Sequence, residues 1–231
     1  MIKKAPIALA LDAPDLATMK HWVVATNTYL SCMKVGLETF LHSGREATDL
    51  VREYSEGCDL FLDLKLHDIP QTVANAARAI KDVKPKFLTV HAAGGPAMIS
   101  AAAEALPETK IVAVTVLTSL DESDLAPFGV SDIKHLTREL AKRSVAAGAR
   151  ALVCSPHEVA EIRDAVGKEV ILITPGVRPS DSNLGDQKRV MTPIDALEAG
   201  SDLLVIGRPI TESKNPGESA RKIAESLTNI V

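Results

Sequence analysis

The sequence predicts an α/β protein folded as a (β/α)8 TIM barrel, a single domain over residues 1–231. Three observations carry this expectation. Short apolar runs alternate with stretches of helical spacing, the runs are apolar at consecutive positions, and no linker or shift in composition divides the chain. Strands that are apolar on both faces are buried on both, as in a parallel sheet covered by helices. Eight strand-then-helix units in about this length fit the barrel. A doubly wound sheet is the alternative. It usually has fewer strands and a glycine-rich first turn, and Leu11-Asp12-Ala13-Pro14 is not one.

Taken in order, residues 7–12 form a short apolar strand, and 14–26 follow with helical spacing and a Pro-Asp start. The second strand is 31–36, with a helix from 44 to about 55. The third is 59–65. Ile69-Pro70 ends that extended run, because proline donates no ladder hydrogen bond, and Pro70 suits the first turn of a helix over 72–83. Strand 87–92 precedes an Ala-rich helix over 96–106. Strand 110–118 leads to a helical turn at 121–125 and a longer helix over 133–147. The last three strands are 151–154, 170–174 and 202–206, with helices over 156–166 and 218–227.

The balance of 46% hydrophobic and 24% charged residues is that of a soluble globular chain able to bury a sizeable core. Net charge is −4, with both signs scattered and no basic run, so nucleic acid is not an expected partner. No apolar stretch approaches the roughly 20 residues of a membrane span. Lys3-Lys4 before an apolar run mimics a secretion signal, but Asp12 cuts the run short. Cys32, Cys58 and Cys154 form no C-x-x-C pair and sit in or beside apolar runs, as buried, reduced thiols of a cytoplasmic protein would.

Active sites of such barrels lie at the C-terminal ends of the strands. Those ends carry Asp12, Lys34, Asp63 with Lys65, His91, Thr118, Ser155, Arg178 just past the seventh strand, and Gly207-Arg208. Alternate residues of a strand share a face, about 6.5–7 Å apart, so Asp63 and Lys65 project the same way. Lys34 lies within an apolar strand, where an ammonium is costly without a carboxylate partner, and Asp63 on the next strand can supply one. Asp68 follows past the strand end. Phosphate sites in these barrels usually lie after strands seven and eight. There Gly207 allows close backbone approach to an anion, and Arg208 adds a fork of donors. Residues 175–190 are rich in Gly, Pro, Ser, Asp and Asn and carry Arg178, Gln187 and Arg189, as a mobile closing loop would. Lysines occupy the places where metal ligands would converge, so no metal is expected. Ser155 has no G-x-S-x-G setting and no base at readable spacing, which leaves a serine nucleophile unsupported.

Asp63, Lys65, Asp68, Ile69 and Thr72 spell Asp-x-Lys-x-x-Asp-Ile-x-x-Thr, which resembles the signature of the orotidine 5′-phosphate decarboxylase family. The resemblance runs along essentially the whole chain. It includes Leu11-Asp12, Met33-Lys34-Val35-Gly36, Thr115-Val116-Leu117-Thr118-Ser119, Thr174-Pro175-Gly176-Val177-Arg178, Gln187 and Val205-Ile206-Gly207-Arg208-Pro209-Ile210. It implies decarboxylation of orotidine 5′-monophosphate to uridine 5′-monophosphate in de novo pyrimidine biosynthesis, with neither metal nor organic cofactor. Lys34, Asp63, Lys65 and Asp68 resemble the family's catalytic tetrad, with Lys65 the proton donor to C6 of the pyrimidine. The resemblance further implies a homodimer in which Asp68 and Thr72 reach the partner's site, Thr72 near the ribose. It implies that Asp12 contacts the ribose and that Thr118 and Gln187 hold the pyrimidine. Arg178, Gly207 and Arg208 resemble the phosphate and closed-loop contacts, the loop covering about 178–190.

Two other readings are distinguishable. A magnesium-dependent sugar-phosphate lyase or decarboxylase of the same wider group resembles the chain at Asp-x-Lys-x-x-Asp, but carries a carboxylate where Lys34 stands. A non-catalytic nucleotide sensor would need the phosphate contacts and not the buried charges.

Overall fold

Eight parallel strands close into a barrel in chain order, β1 (Ala5–Ala10) pairing with both β2 (Leu30–Gly36) and β8 (Leu203–Ile206). Between these lie β3 (Asp59–Leu66), β4 (Phe87–His91), β5 (Lys110–Val114), β6 (Ala151–Val153) and β7 (Ile171–Thr174). The chain is seen in a computed structural model that describes residues 4–179 and 191–228. The helices are α1 (Leu16–Thr26), α2 (Leu37–Tyr54), α3 (Pro70–Ala79), α4 (Gly95–Ala105), α5 (Glu122–Leu125), α6 (Ile133–Ala146), α7 (Val159–Val166), α8 (Pro193–Glu198), α9 (Arg208–Thr211) and α10 (Pro216–Ser226). Among the described residues no helix is long and apolar enough to cross a membrane.

The consecutive apolar positions of each strand divide between two cores. Leu9, Met33, Leu62, Leu88, Ile111 and their outward-facing neighbours pack against the helices. The inward set takes one residue from every strand: Ala8, Cys32, Phe61, Phe87, Val112, Ala151, Ile173 and Leu203. The Phe61 and Phe87 rings meet edge to face at 5.6 Å, a contact worth about 0.5–1.5 kcal/mol beyond its buried area. This apolar plug is the floor on which the polar strand ends stand. Two residues further along the inward rows come Ala10, Lys34, Asp63, Thr89, Val114, Val153 and Val205. The period of two therefore carries the rows of β2, β3 and β4 from a dry interior to polar side chains, while the other rows stay apolar at this level.

The structure departs from the sequence expectation where local signals were weak. The expected helix from Gly44 is present, but a further helical segment starting at Leu37 precedes it, and Gly44, at φ 54° and ψ −127°, forms the kink that joins the two within α2. The added segment lacked an apolar stripe to read, since Leu37 and Leu41 are exposed. The fifth strand ends at Val114, leaving Thr118 in a turn. The short helices α8 and α9 were not expected; α8 starts from Thr192, whose hydroxyl accepts from Asp195 N–H at 3.2 Å. Cys32 and Cys154 are buried free thiols, and Cys58 is only partly buried, with Lys4 Nζ 3.2 Å from its sulfur.

Candidate active site

The inward rows end at a cavity of about 410 Å³ on the C-terminal face of the barrel. Lys34, Asp63 and Lys65 form its base. The Lys34 side chain is only 8% exposed, so its ammonium needs a counter-charge, and Asp63 Oδ2 provides one at 3.1 Å. The other oxygen of that carboxylate, Oδ1, accepts from Lys65 Nζ at 2.7 Å. Asp12, half-exposed at the rim, places Oδ1 3.8 Å from Lys34 Nζ. One buried carboxylate thus lies between two ammoniums, and the second carboxylate is turned toward solvent.

Asp63 and Lys65 reach each other by a route that simple alternation does not describe. Pairing between β3 and β4 runs Leu62↔Leu88 and then Leu66↔Val90, so residues 63–65 face Thr89 alone. Within this bulge Lys65 takes φ 48°, the left-handed region that non-glycine residues seldom occupy. Its N–H donates to Thr89 Oγ1 at 2.8 Å, and the Thr89 hydroxyl donates to Asp63 Oδ1 at 3.0 Å.

Asp12 is fixed from α2. Thr39, buried there, accepts from Ala13 N–H at 3.1 Å and donates to Leu11 O at 2.6 Å, clamping the backbone on either side of Asp12. Gly36 leaves room for both charges: a Cβ at that position would lie 2.4 Å from Asp12 Oδ1 and 3.1 Å from Lys34 Nζ.

Arg178, Gly207 and Arg208 line the opposite wall of the same cavity. Arg178 is buried rather than solvated. Its N–H donates to Met191 O at 3.0 Å, beside a bridge between Val177 and Met191, so the two described ends of the 178–190 stretch are tied together. Thr118 is half-buried in a smaller adjoining cavity of about 170 Å³, which shares Lys34, Asp63 and Lys65 with the first. Asp68 and Thr72 line neither cavity and are exposed, Asp68 accepting from Ile69 N–H at 2.6 Å. Gln187 and Arg189 lie outside the described residues. Ser155 is buried and caps the turn at Pro156–Glu158, which accounts for it structurally. A larger cavity of about 1000 Å³ opens elsewhere, beside Cys58 and Asp59 at the start of β3, on the face that contributes to stability in such barrels.

Residues 5–223 match the model of the family described as "Orotidine 5'-phosphate decarboxylase / HUMPS family". The chain belongs to this family. Among its relatives, the orotidine 5'-phosphate decarboxylase of Thermobifida fusca (strain YX) is 56% identical over 224 residues, 96% of each chain. That of Frankia casuarinae is 48% identical over 242 aligned residues, covering 97% of this chain and 88% of the relative. The crystal structure of orotidine 5'-phosphate decarboxylase from Lactobacillus acidophilus superposes with a TM-score of 0.84 at 31% identity, covering 97% of this chain and all of that one.

In this orotidine 5'-phosphate decarboxylase family member, the charges of the cavity act strongly on one another. Burial is the largest single influence on Asp63 and pushes its carboxyl up, but Lys34 and Lys65 together outweigh it and hold the carboxyl below its usual range. A depressed folded pKa adds stability above the unfolded value, about 3.9 for Asp, and that stability is lost as pH falls through the folded value. A carboxylate NMR titration should therefore show Asp63 inflecting below about 3.9, and the inflection should rise in Lys34→Met. An inflection at or above the ordinary value would mean the two ammoniums do not control this group.

Sequence reasoning missed Thr89, Thr39 and His67. A threonine in the apolar run of β4, two residues before His91, was a weak signal for an inward polar contact. His67 was passed over within the charged motif; its ring lies 5.3 Å from that of His91. Burial, then His67 and Lys65, push the His91 imidazole down, favouring its neutral form.

Proposed function

We propose that this chain decarboxylates orotidine 5′-monophosphate to uridine 5′-monophosphate and CO2, the last step of de novo pyrimidine nucleotide synthesis, without metal or organic cofactor. The observation that carries this reading is the buried chain Lys34–Asp63–Lys65, with contacts of 3.1 and 2.7 Å, at the base of a nucleotide-sized cavity. Loss of CO2 from C6 leaves a carbanion in the ring plane, with no adjacent carbonyl to delocalise it. Stabilisation must then be electrostatic, and a preorganised ammonium where charge develops supplies it with no reorganisation. Lys65 fills this role and then delivers a proton to C6. Asp63 holds Lys65 and Lys34 in place and faces the departing carboxylate.

Around this centre, Asp12 contacts the ribose, and Thr118 with Gln187 holds the pyrimidine. Arg178, Gly207 and Arg208 take the phosphate, with the 178–190 stretch closing over it. Asp68 and Thr72 enter the site of a partner subunit, which makes the functional unit a homodimer. Lys34 separates this reading from a magnesium-dependent lyase, because an ammonium beside Asp63 neutralises the carboxylate a divalent cation would use. Restoration of uracil-independent growth to a decarboxylase-deficient host tests the assignment; failure to restore it counts against the reading.

The phosphate lies far from C6, so its contacts contribute remote binding energy. Arg208→Ala is accordingly expected to impair turnover of orotidine 5′-monophosphate much more than turnover of phosphate-free orotidine, as kcat/KM on the two substrates will show. An equal fractional loss would place Arg208 in the chemistry or in folding.

A further inference from the structure

Thr89 is fully buried in β4 and lines neither cavity at the barrel mouth. It nevertheless joins the two groups the reaction depends on. On the β4 side residues 63–65 of β3 face Thr89 alone, so regular pairing with β4 is interrupted there. The Thr89 hydroxyl fills the gap. It must accept from Lys65 N–H at 2.8 Å, since an amide nitrogen only donates there, and its single proton must go to the acceptor-only Asp63 Oδ1 at 3.0 Å. That same Oδ1 accepts from Lys65 Nζ at 2.7 Å. A closed circuit therefore runs from the Lys65 backbone through Thr89 and Asp63 back to the Lys65 ammonium.

We propose that Thr89 is a positioning residue: its hydroxyl holds Lys65 in the left-handed backbone conformation and fixes the Asp63 carboxylate, and the two together aim the Lys65 ammonium. The inference rests on the decarboxylase reading given above, and it assigns a role to a residue that lines neither cavity. Strained backbone of this kind persists only where surrounding contacts over-determine it, and Thr89 Oγ1 is the partner of the Lys65 N–H at φ 48°.

The test compares Thr89→Val, which keeps the branched shape and removes the hydroxyl, with Thr89→Ser, which keeps the hydroxyl. In Thr89→Val, kcat on orotidine 5′-monophosphate should fall roughly 10- to 100-fold with KM little changed, the loss expected when a reacting group is misplaced by about an ångström. Thr89→Ser should stay close to wild type. The acid limb of kcat should move to higher pH in Thr89→Val, because Asp63 loses a donor that favours its charged form. A purely structural role would leave that limb in place.

Wild-type kcat in Thr89→Val, equal impairment in the valine and serine variants, or an unmoved acid limb would each overturn the proposal. Should Thr89→Val fail to fold, Thr89→Ser and Thr89→Cys carry the same comparison, being alike in shape and differing in hydrogen-bonding strength. The cysteine variant should then lose kcat, and equal rates would overturn the proposal. Failure of the decarboxylase reading itself is separate: the wild-type protein would show no turnover at all.

Discussion

Lys65→Ala is expected to leave a folded protein with less than about a thousandth of wild-type turnover, because loss of one positioned stabilising group already costs roughly 10²–10³-fold and in the proposed mechanism this residue also delivers the proton. The physical origin lies in the base of the cavity. Asp63 is shared between Lys34 and Lys65, at 3.1 and 2.7 Å, and only Lys65 is exposed enough to meet a ligand, its side chain 30% accessible against 8% for Lys34. Removal of Lys65 leaves Asp63 still paired with Lys34, so the fold should survive. Thermal unfolding and circular dichroism check the fold, and turnover at saturating substrate checks the chemistry. A folded variant that keeps more than about a thousandth of the activity would show that another group carries the charge stabilisation.

The second large effect concerns assembly. Asp68 follows Lys65 by three residues, and Ile69-Pro70 then turns the chain into α3. Asp68 and Thr72 are exposed and absent from their own chain's cavities, and Ile69 beside them is 66% exposed. In the shared-site reading these residues complete the partner's cavity, and an isologous interface makes the exchange reciprocal. Mixing Asp68→Ala with Lys65→Ala subunits should then restore activity that neither parent has. In a mixed dimer one site carries both lesions and the other carries none. With equal amounts and free exchange, about half the dimers are mixed and half their sites intact, so roughly a quarter of wild-type activity returns. Native mass spectrometry verifies exchange before the assay. If exchanged mixtures stay as inactive as the parents, Asp68 acts in its own subunit and the shared-site reading fails.

The inward rows explain how much was legible in the sequence. A parallel barrel strand buried on both faces reads as an apolar run, and a charge in such a run must face something that compensates it. Lys34 was readable for this reason, and its partner Asp63 could be named from the neighbouring strand. The step from Phe61 on the floor to Asp63 on the rim followed from the period of two, whereas the meeting of Asp63 with Lys65 depends on the bulge between Leu62 and Leu66.

What escaped was set by pairing between strands. The left-handed turn at Lys65 depends on the bulge opposite β4, and the acceptor for its N–H is a side chain 24 positions later. Thr89 in isolation is an ordinary β-branched strand residue. The need for glycine at position 36 comes from the closeness of Asp12 and Lys34, which converge only once β1 and β2 are aligned with Ala10 beside Lys34. The early start of α2 was hidden because its first turn buries little apolar surface, and Thr39 within it works by hydrogen bonds to the β1–α1 turn.

In the proposed mechanism, the charges at the base of this cavity remove CO2 from orotidine 5′-monophosphate with no help from a metal or an organic cofactor. The direct measurement is the fall in orotidine 5′-monophosphate absorbance after adding purified protein in excess EDTA, with the product identified as uridine 5′-monophosphate. The expected result is complete conversion at the rate seen without chelator. No conversion, or conversion that stops with EDTA and returns on adding magnesium, would contradict it.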